Sequence, residues 1–247
     1  MPAWTLPVMQ WAQSQGGAAG YAHSGWGLEP LEKTDDLPNY VMAKFDGIGA
    51  NEYIVTGVHG AADFISAGDT PVAWELNIWY HTLNCGLTAR ISGETDFPCI
   101  YDERVGIARS YAPLDGELIF DKYVDKIKQG ANYVSDGRSH LLNFQVDDVV
   151  MGENGSILRL DGPRPVEVKA RVAAYLPDKN DESALDVAAQ WTSSPYWHLE
   201  KARLGESRQV PVELIVNGYP VARQEITADG EVRGITFTHP IDQSSWA

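Results

Sequence analysis

Over the first 140 positions, short apolar runs alternate with stretches of helical spacing, and the alternation reads as β and α elements in turn. Met9 to Gln15 has helical spacing and ends at Gly16-Gly17. Ala18 to Ala22 reads as a strand that stops at His23. A Pro- and Asp-containing loop, Gly25 to Asn39, leads into a mixed segment reaching about Val58, and Ala62 to Ser66 reads as the next strand. Val72 to Leu83 (VAWELNIWYHTL) keeps helical spacing without an internal Gly or Pro, and Gly86 is placed to end it. Ala89 to Ser92 is a further apolar run, leading to Asp96. Gly106 to Tyr111 reads as a strand, and Phe120 to Gln129 as a helix stopped by Gly130. Strands alternating with helices imply a largely parallel sheet or barrel.

After Ser139 the pattern turns to β. Leu141 to Val146, Ser156 to Leu160, Val166 to Ala174, Val210 to Val216, Tyr219 to Ile226 and Val232 to Thr238 alternate or run apolar. The pairs Asn217-Gly218 and Asp229-Gly230 predict tight hairpin turns, because both favour positive φ. The polar stretch Asp178 to Trp197 reads as a long connection across the sheets. The expected architecture is α/β plus β: residues 1–140 as a partial βα-barrel and residues 141–247 as an antiparallel β-sandwich.

Composition narrows the function classes. A chain of 247 residues, 44% hydrophobic and 21% charged, buries a sizeable core. The net charge of −15 argues against nucleic acid, whose phosphates need a basic surface. The same field attracts divalent cations and suits a neutral or weakly anionic substrate. No apolar stretch reaches the ~18 residues of a membrane span, and the N-terminus lacks the basic and apolar regions of a signal peptide. Cys85 and Cys99 are the only cysteines, which makes a reducing, cytoplasmic setting the expectation.

Two phrases carry candidate chemistry. In GYAHSGW a strand stops at His23, with Gly20, Ser24 and Gly25 keeping the backbone slim. In SGETDFP a later strand leads to Asp96. Barrel hydrolases present metal ligands in this way, at the C-terminal ends of their strands. His59 in GVHG is a third candidate ligand. The helix from Val72 adds Glu75, Asn77, His81 and Asn84, of which the last three share a face. A catalytic zinc takes three protein ligands and keeps one position for water, which it activates at neutral pH. His81 or Glu94 is a candidate for moving protons. Arg90, Arg104 and Arg109 lie near Asp96, and Arg109 is the candidate for stabilising an oxyanion. The chain has no nucleophile elbow, phosphate-binding loop, dinucleotide fingerprint or C-x-x-C pair.

With these residues in view, the chain resembles the carbaryl-hydrolase branch of the polymerase-and-histidinol-phosphatase (PHP) superfamily. The matching phrases are QGGAAGYAHSGW (Gln15 to Trp26), WYHTLNCG (Trp79 to Gly86), SGETDFP (Ser92 to Pro98) and YVSDGRS (Tyr133 to Ser139). The resemblance implies a distorted βα-barrel with up to three metal ions, hydrolysing phosphate, carbamate or related esters. It makes His23 the late His ligand and Asp96 the late Asp ligand; His59, His81 and Glu94 match no ligand position of the family. The family's first strand carries an H-x-H pair, whereas here Met1 stands only about 22 residues ahead of His23. The chain therefore reads as an internal portion of a larger hydrolase. Its expected site is open and promiscuous, uses zinc or manganese, and acts on a small-molecule ester. Exposed strand edges lead to an expectation of homo-oligomers. The rival reading is a non-catalytic binding or assembly module left from a truncated hydrolase. A third, carbohydrate binding, rests on the eight Trp and eleven Tyr.

Overall fold

The computed structural model describes residues 4–24, 52–68, 72–95, 106, 108–180, 203 and 205–247. Asp96, Cys99, His198, the loop 25–39 and most of the polar stretch 178–197 lie outside the described residues. The chain divides into two compact units, Met1–Val134 and Ser135–Ala247.

The first unit is built on β–α alternation. Helix α1 (Thr5–Ser14) precedes strand β1 (Gly20–Tyr21); α2 (Tyr53–Val58) precedes β2 (Phe64–Ala67), and α3 (Val72–Asn84) joins β2 to β3 (Arg90–Gly93). The three strands pair in parallel in the order β1-β2-β3, with Tyr21 opposite Ile65, Ile65 opposite Ile91 and Ala67 opposite Gly93. Among the described residues this sheet is open and does not close into a barrel. Met9, Ala19, Tyr21, Tyr53, Ala61, Ile65 and Ile78 form its core, with Trp74 and Trp79 packed against them. The Trp79 indole donates to the Ala89 carbonyl at 2.9 Å, so a large aromatic ring packs half-buried against the core without orphaning its N–H. Tyr21 and Tyr53 meet edge to face at 5.6 Å, and burial pushes the Tyr53 phenol up to about 12.

Beyond β3 come β4 (Arg109–Tyr111), α4 (Phe120–Gln129) and β5 (Tyr133–Ser135), with β4 and β5 paired. Asp121 in the first turn of α4 and Lys126 and Lys128 in its last turn suit the helix dipole. Gly130 ends α4 in the left-handed region, φ 73°, where a side chain is strained. Strand β4 lies against the end of β3: the Gly93 N–H donates to Ser110 Oγ at 2.8 Å. A Cβ on Gly93 would fall 2.5 Å from the backbone carbon of Arg109 and 2.7 Å from its nitrogen. Backbone cannot swing aside as a side chain can. Gly93→Ala is therefore expected to cost about 3 kcal/mol by forcing the two strands apart. A fall in the urea midpoint checks this, and an unchanged midpoint would refute the close approach.

The second unit is antiparallel. Strands β6 (Ser139–Val146), β7 (Val149–Val150), β8 (Arg164–Ala174) and β11 (Arg233–Ile241) form one sheet in the order β11-β8-β6-β7; β9 (Gln209–Val216) and β10 (Tyr219–Thr227) form another. Period-two alternation sends Val166, Val168, Ala170 and Val172 of β8 inward, where they share a core with Leu214, Val216, Ile226, Ile235 and Phe237. Asn217 (φ 53°) and Gly218 (φ 92°) turn β9 into β10, as a two-residue hairpin requires.

Two expectations here need correction. Ser156 to Leu160 is not a strand: a 3-10 turn occupies Asn154–Ser156, with Ser156 at φ 56°, although Leu158 and Leu160 still pack on the core. Asp229-Gly230 does not close a hairpin either, because β10 and β11 belong to different sheets. Asp229 instead braces the turn. Its carboxylate accepts both terminal nitrogens of Arg233, at 2.6 and 2.7 Å, and the Glu231 N–H at 2.9 Å. The Arg233 bonds, then the Glu231 N–H, hold its pKa well below the usual carboxylate range. A depressed carboxylate adds stability above its unfolded pKa of about 3.9, and the gain is lost as pH falls through the folded value. Asp229→Asn is therefore expected to lower Tm at neutral pH, with the gap to wild type closing in acid below about pH 4. A gap constant across a pH series of thermal melts would contradict this.

No helix among the described residues is long and apolar enough to cross a membrane.

Candidate functional site

In open parallel α/β sheets, groups that bind ligands gather at the carboxyl ends of the strands, where the chain leaves the sheet in loops. Here that edge is made by residues following β1, β2 and β3: Ala22 to Ser24, Gly68, and Glu94. Strands β1 and β3 flank β2, so with a spacing of about 4.8 Å per strand they stand roughly 10 Å apart. Among the described residues, Ala67 and Gly68 stand at the end of β2 between them, and Gly68 adopts φ 104°.

His23 occupies one side of this edge. Its φ of 52° is left-handed, a conformation that costs a non-glycine residue about 1–2 kcal/mol. The next residue secures it. Ser24 is fully buried; its N–H donates to Ser66 Oγ at 3.1 Å and its hydroxyl donates to the Ser66 carbonyl at 2.8 Å. Ser66 Oγ in turn donates to Ser24 Oγ at 3.2 Å. Glu75, 1% exposed on the first turn of α3, closes the group from below. Its Oε2 accepts the Gly68 N–H at 2.6 Å, and its Oε1 stands 3.5 Å from Ser24 Oγ. One buried carboxylate thereby ties the ends of β1 and β2 together and holds the His23 turn in its left-handed form.

Glu94 holds the other side. Its N–H donates to the Ala67 carbonyl at 3.1 Å, extending the β2–β3 pairing by one residue and leaving the side chain half-buried at the edge. Arg109 opens β4 beside Gly93; it is exposed, and its Nη1 donates to Tyr111 Oη at 3.4 Å. The fold therefore brings His23, Glu94 and Arg109 to one edge, while Asp96 lies outside the described residues.

His59 and His81 are elsewhere. His59 is exposed after α2 and five residues ahead of β2, at the amino ends of the strands. His81 stands six residues along α3 from Glu75, about 9 Å down the helix axis and away from the His23 edge. A cavity of about 340 Å³ opens at that opposite edge, lined by Tyr53, Asp63, Thr82, Arg90 and Lys128 among others. Its acid is already engaged: Asp63 accepts the Ala19 N–H at 2.8 Å and the Gln13 amide at 3.2 Å. The helices α2 and α3 end there, so Arg90 and Lys128 stand where cations balance helix C-termini. Among the described residues, no group of three His, Cys, Asp or Glu side chains is gathered closely enough to hold a metal ion.

Ser66 was not singled out by sequence reasoning, and neither Ser24 nor Glu75 was given its role. A signal was present in α3. Glu75, Ile78 and Thr82 follow i, i+3, i+7 spacing, which is the buried stripe of the helix. Asn77 is also buried, whereas His81 and Asn84, grouped with it by spacing, are half-buried and exposed.

Protein-family models, curated proteins and solved structures offer no match to this chain. The described residues Gly20 to Ser24 and Ser92 to Thr95 run along the same edge of the sheet.

Proposed function

We propose that this chain is a metal-dependent hydrolase of small-molecule esters, with its reaction centre at the carboxyl edge of the parallel sheet. The observation that carries this reading is that His23 follows β1 and Glu94 follows β3, on either side of the β2 end and at the same edge of the sheet. An imidazole and a carboxylate are donors that zinc and manganese accept. Asp96, two residues past Glu94 in sequence, is the carboxylate donor of the proposal and His23 the imidazole. His23 and Asp96 would hold the ion, which when bound supplies a hydroxide nucleophile at neutral pH.

The chain's own residues do the rest. The Ser24–Ser66–Glu75 group holds the backbone turn that carries His23, which lowers the ordering cost when the site is used. Glu94 is the base, accepting a proton from attacking water and returning it to the departing alcohol or phenol. Arg109, free of any carboxylate partner among the described residues, stabilises the negative charge that develops on the ester oxygen. The open edge imposes little shape selection, so carboxylic, carbamate and phosphotriester substrates all fit the proposal. The surplus of acidic residues disfavours strongly anionic ones.

The test is elemental analysis of desalted protein beside hydrolysis of a panel of activated esters. The expected result is about one bound zinc or manganese per chain or more, with hydrolysis that a chelator removes and the metal restores. A metal-free chain that hydrolyses none of the panel would favour the binding-module reading. Hydrolysis insensitive to chelator would move the chemistry to a different nucleophile.

A further inference from the structure

We propose that the outer faces of α1 and α2 form a self-association surface on which a second copy of this chain docks. On α1, Trp4, Val8 and Trp11 recur at i, i+4 and i+7 and are 68%, 48% and 65% exposed. They stand opposite Leu6, Met9 and Ala12, which face the core. On α2, Ile54, Val55 and Val58 are each at least half exposed, while Tyr53 and Thr56 on the other side are buried. The helices are neighbours: the Thr5 N–H donates to Glu52 at 2.5 Å, and the Gln13 amide donates to the Gly60 carbonyl at 3.1 Å. Six such side chains expose on the order of 600 Å² of apolar surface, close to the ~800 Å² that each partner contributes to a standard interface.

Two observations name the occupant as a second copy. The first is charge. The chain carries −15, yet α1 (TLPVMQWAQS) and α2 (YIVTGV) contain no Asp, Glu, Lys, Arg or His. Two copies meeting elsewhere on so acidic a chain would bring more like charges together; here the flanking acid Glu52 is engaged by the Thr5 N–H. The second is symmetry. The stripe reads Trp–Val–Trp, with Val8 near its midpoint. An antiparallel pair of α1 helices about a two-fold axis sets Trp4 of one copy beside Trp11 of the other and Val8 near the axis. Self-complementarity of this kind is what an isologous dimer requires. Strand β1, at the edge of the sheet, is only two residues long and offers few hydrogen bonds to an incoming strand.

Sedimentation velocity on the full chain, over a concentration series, tests this. Wild type is expected to sediment as a dimer of the 27.2 kDa chain, held more tightly as salt screens its self-repulsion. Trp11→Glu is expected to weaken the dimer by about tenfold or more, with the far-UV circular dichroism unchanged. Val8→Lys, which repeats its charge across the axis, reads the same contact should the Trp11 variant fail to fold. Leu118→Glu removes an exposed apolar side chain that belongs to neither helix and is expected to leave the dimer intact. Overturning results are a monomeric wild type, whether alone or carrying another protein, or a dimer that survives both Val8→Lys and Trp11→Glu. A dimer that salt dissociates would equally overturn it.

Discussion

His23→Asn is expected to abolish metal retention and lower ester hydrolysis by about 100-fold or more while leaving the fold intact, because the proposed function makes His23 a metal ligand. Asparagine is the informative replacement. Position 23 sits at φ 52°, a conformation that Asn adopts readily and most other residues do not. His23→Ala would lose the imidazole and also add backbone strain, so its lower activity would mix two causes. The pair of variants separates them. Both should lose metal, but Ala alone should lower the melting temperature, by an amount corresponding to about 1 kcal/mol. The same Asn substitution at His59 distinguishes the two edges of the sheet. Loss of metal there, with retention in His23→Asn, would relocate the site to the amino ends of the strands.

Much of the local structure was legible because single elements announce themselves. Helix α4 ends at Gln129 because Gly130 follows it, and α3 begins at Val72 after Pro71, with no breaker until Gly86. Strand β8 alternates so strictly that its inward face is readable residue by residue. What failed was whatever depends on partners distant in sequence. Asp229-Gly230 has hairpin chemistry, yet β10 and β11 pair with different strands, and that choice is made by the shared core. Leu158 and Leu160 look like strand residues because burial alone produces their pattern. At the candidate site, His23 was singled out by the glycines around it, Asp96 by the strand leading to it, and Glu94 only as a carrier of protons. His59 and His81 were grouped with them by residue type, which carries no information on the end of a strand at which a residue falls. In a parallel sheet that end is decided by direction: residues after a strand join one edge, and residues before it join the other.

Glu75 is the residue whose chemistry and context are furthest apart. A buried glutamate near a candidate catalytic edge invites a role as base, but its oxygens face Gly68 N–H and Ser24 Oγ at the junction of β1 and β2. A positioning role follows, and the conservative variant tests it. Glu75→Ala leaves the buried Gly68 N–H without this acceptor and opens a cavity, so it is expected to destabilise the first unit by about 3 kcal/mol. The His23 turn should loosen with it, and kcat should fall even where the protein is still folded. Glu75→Gln keeps an acceptor for Gly68 N–H and turns an amide toward Ser24 Oγ, which can accept from it. It is expected to retain activity within a factor of about three, since a neutral hydrogen bond replaces a charged one at a cost of roughly 1 kcal/mol or less. A catalytic base would behave otherwise: Gln and Ala would be equally inactive, and the acidic limb of the pH–rate profile would vanish in both. Urea midpoints, kcat and the pH profile of the two variants, taken together, decide which role Glu75 holds.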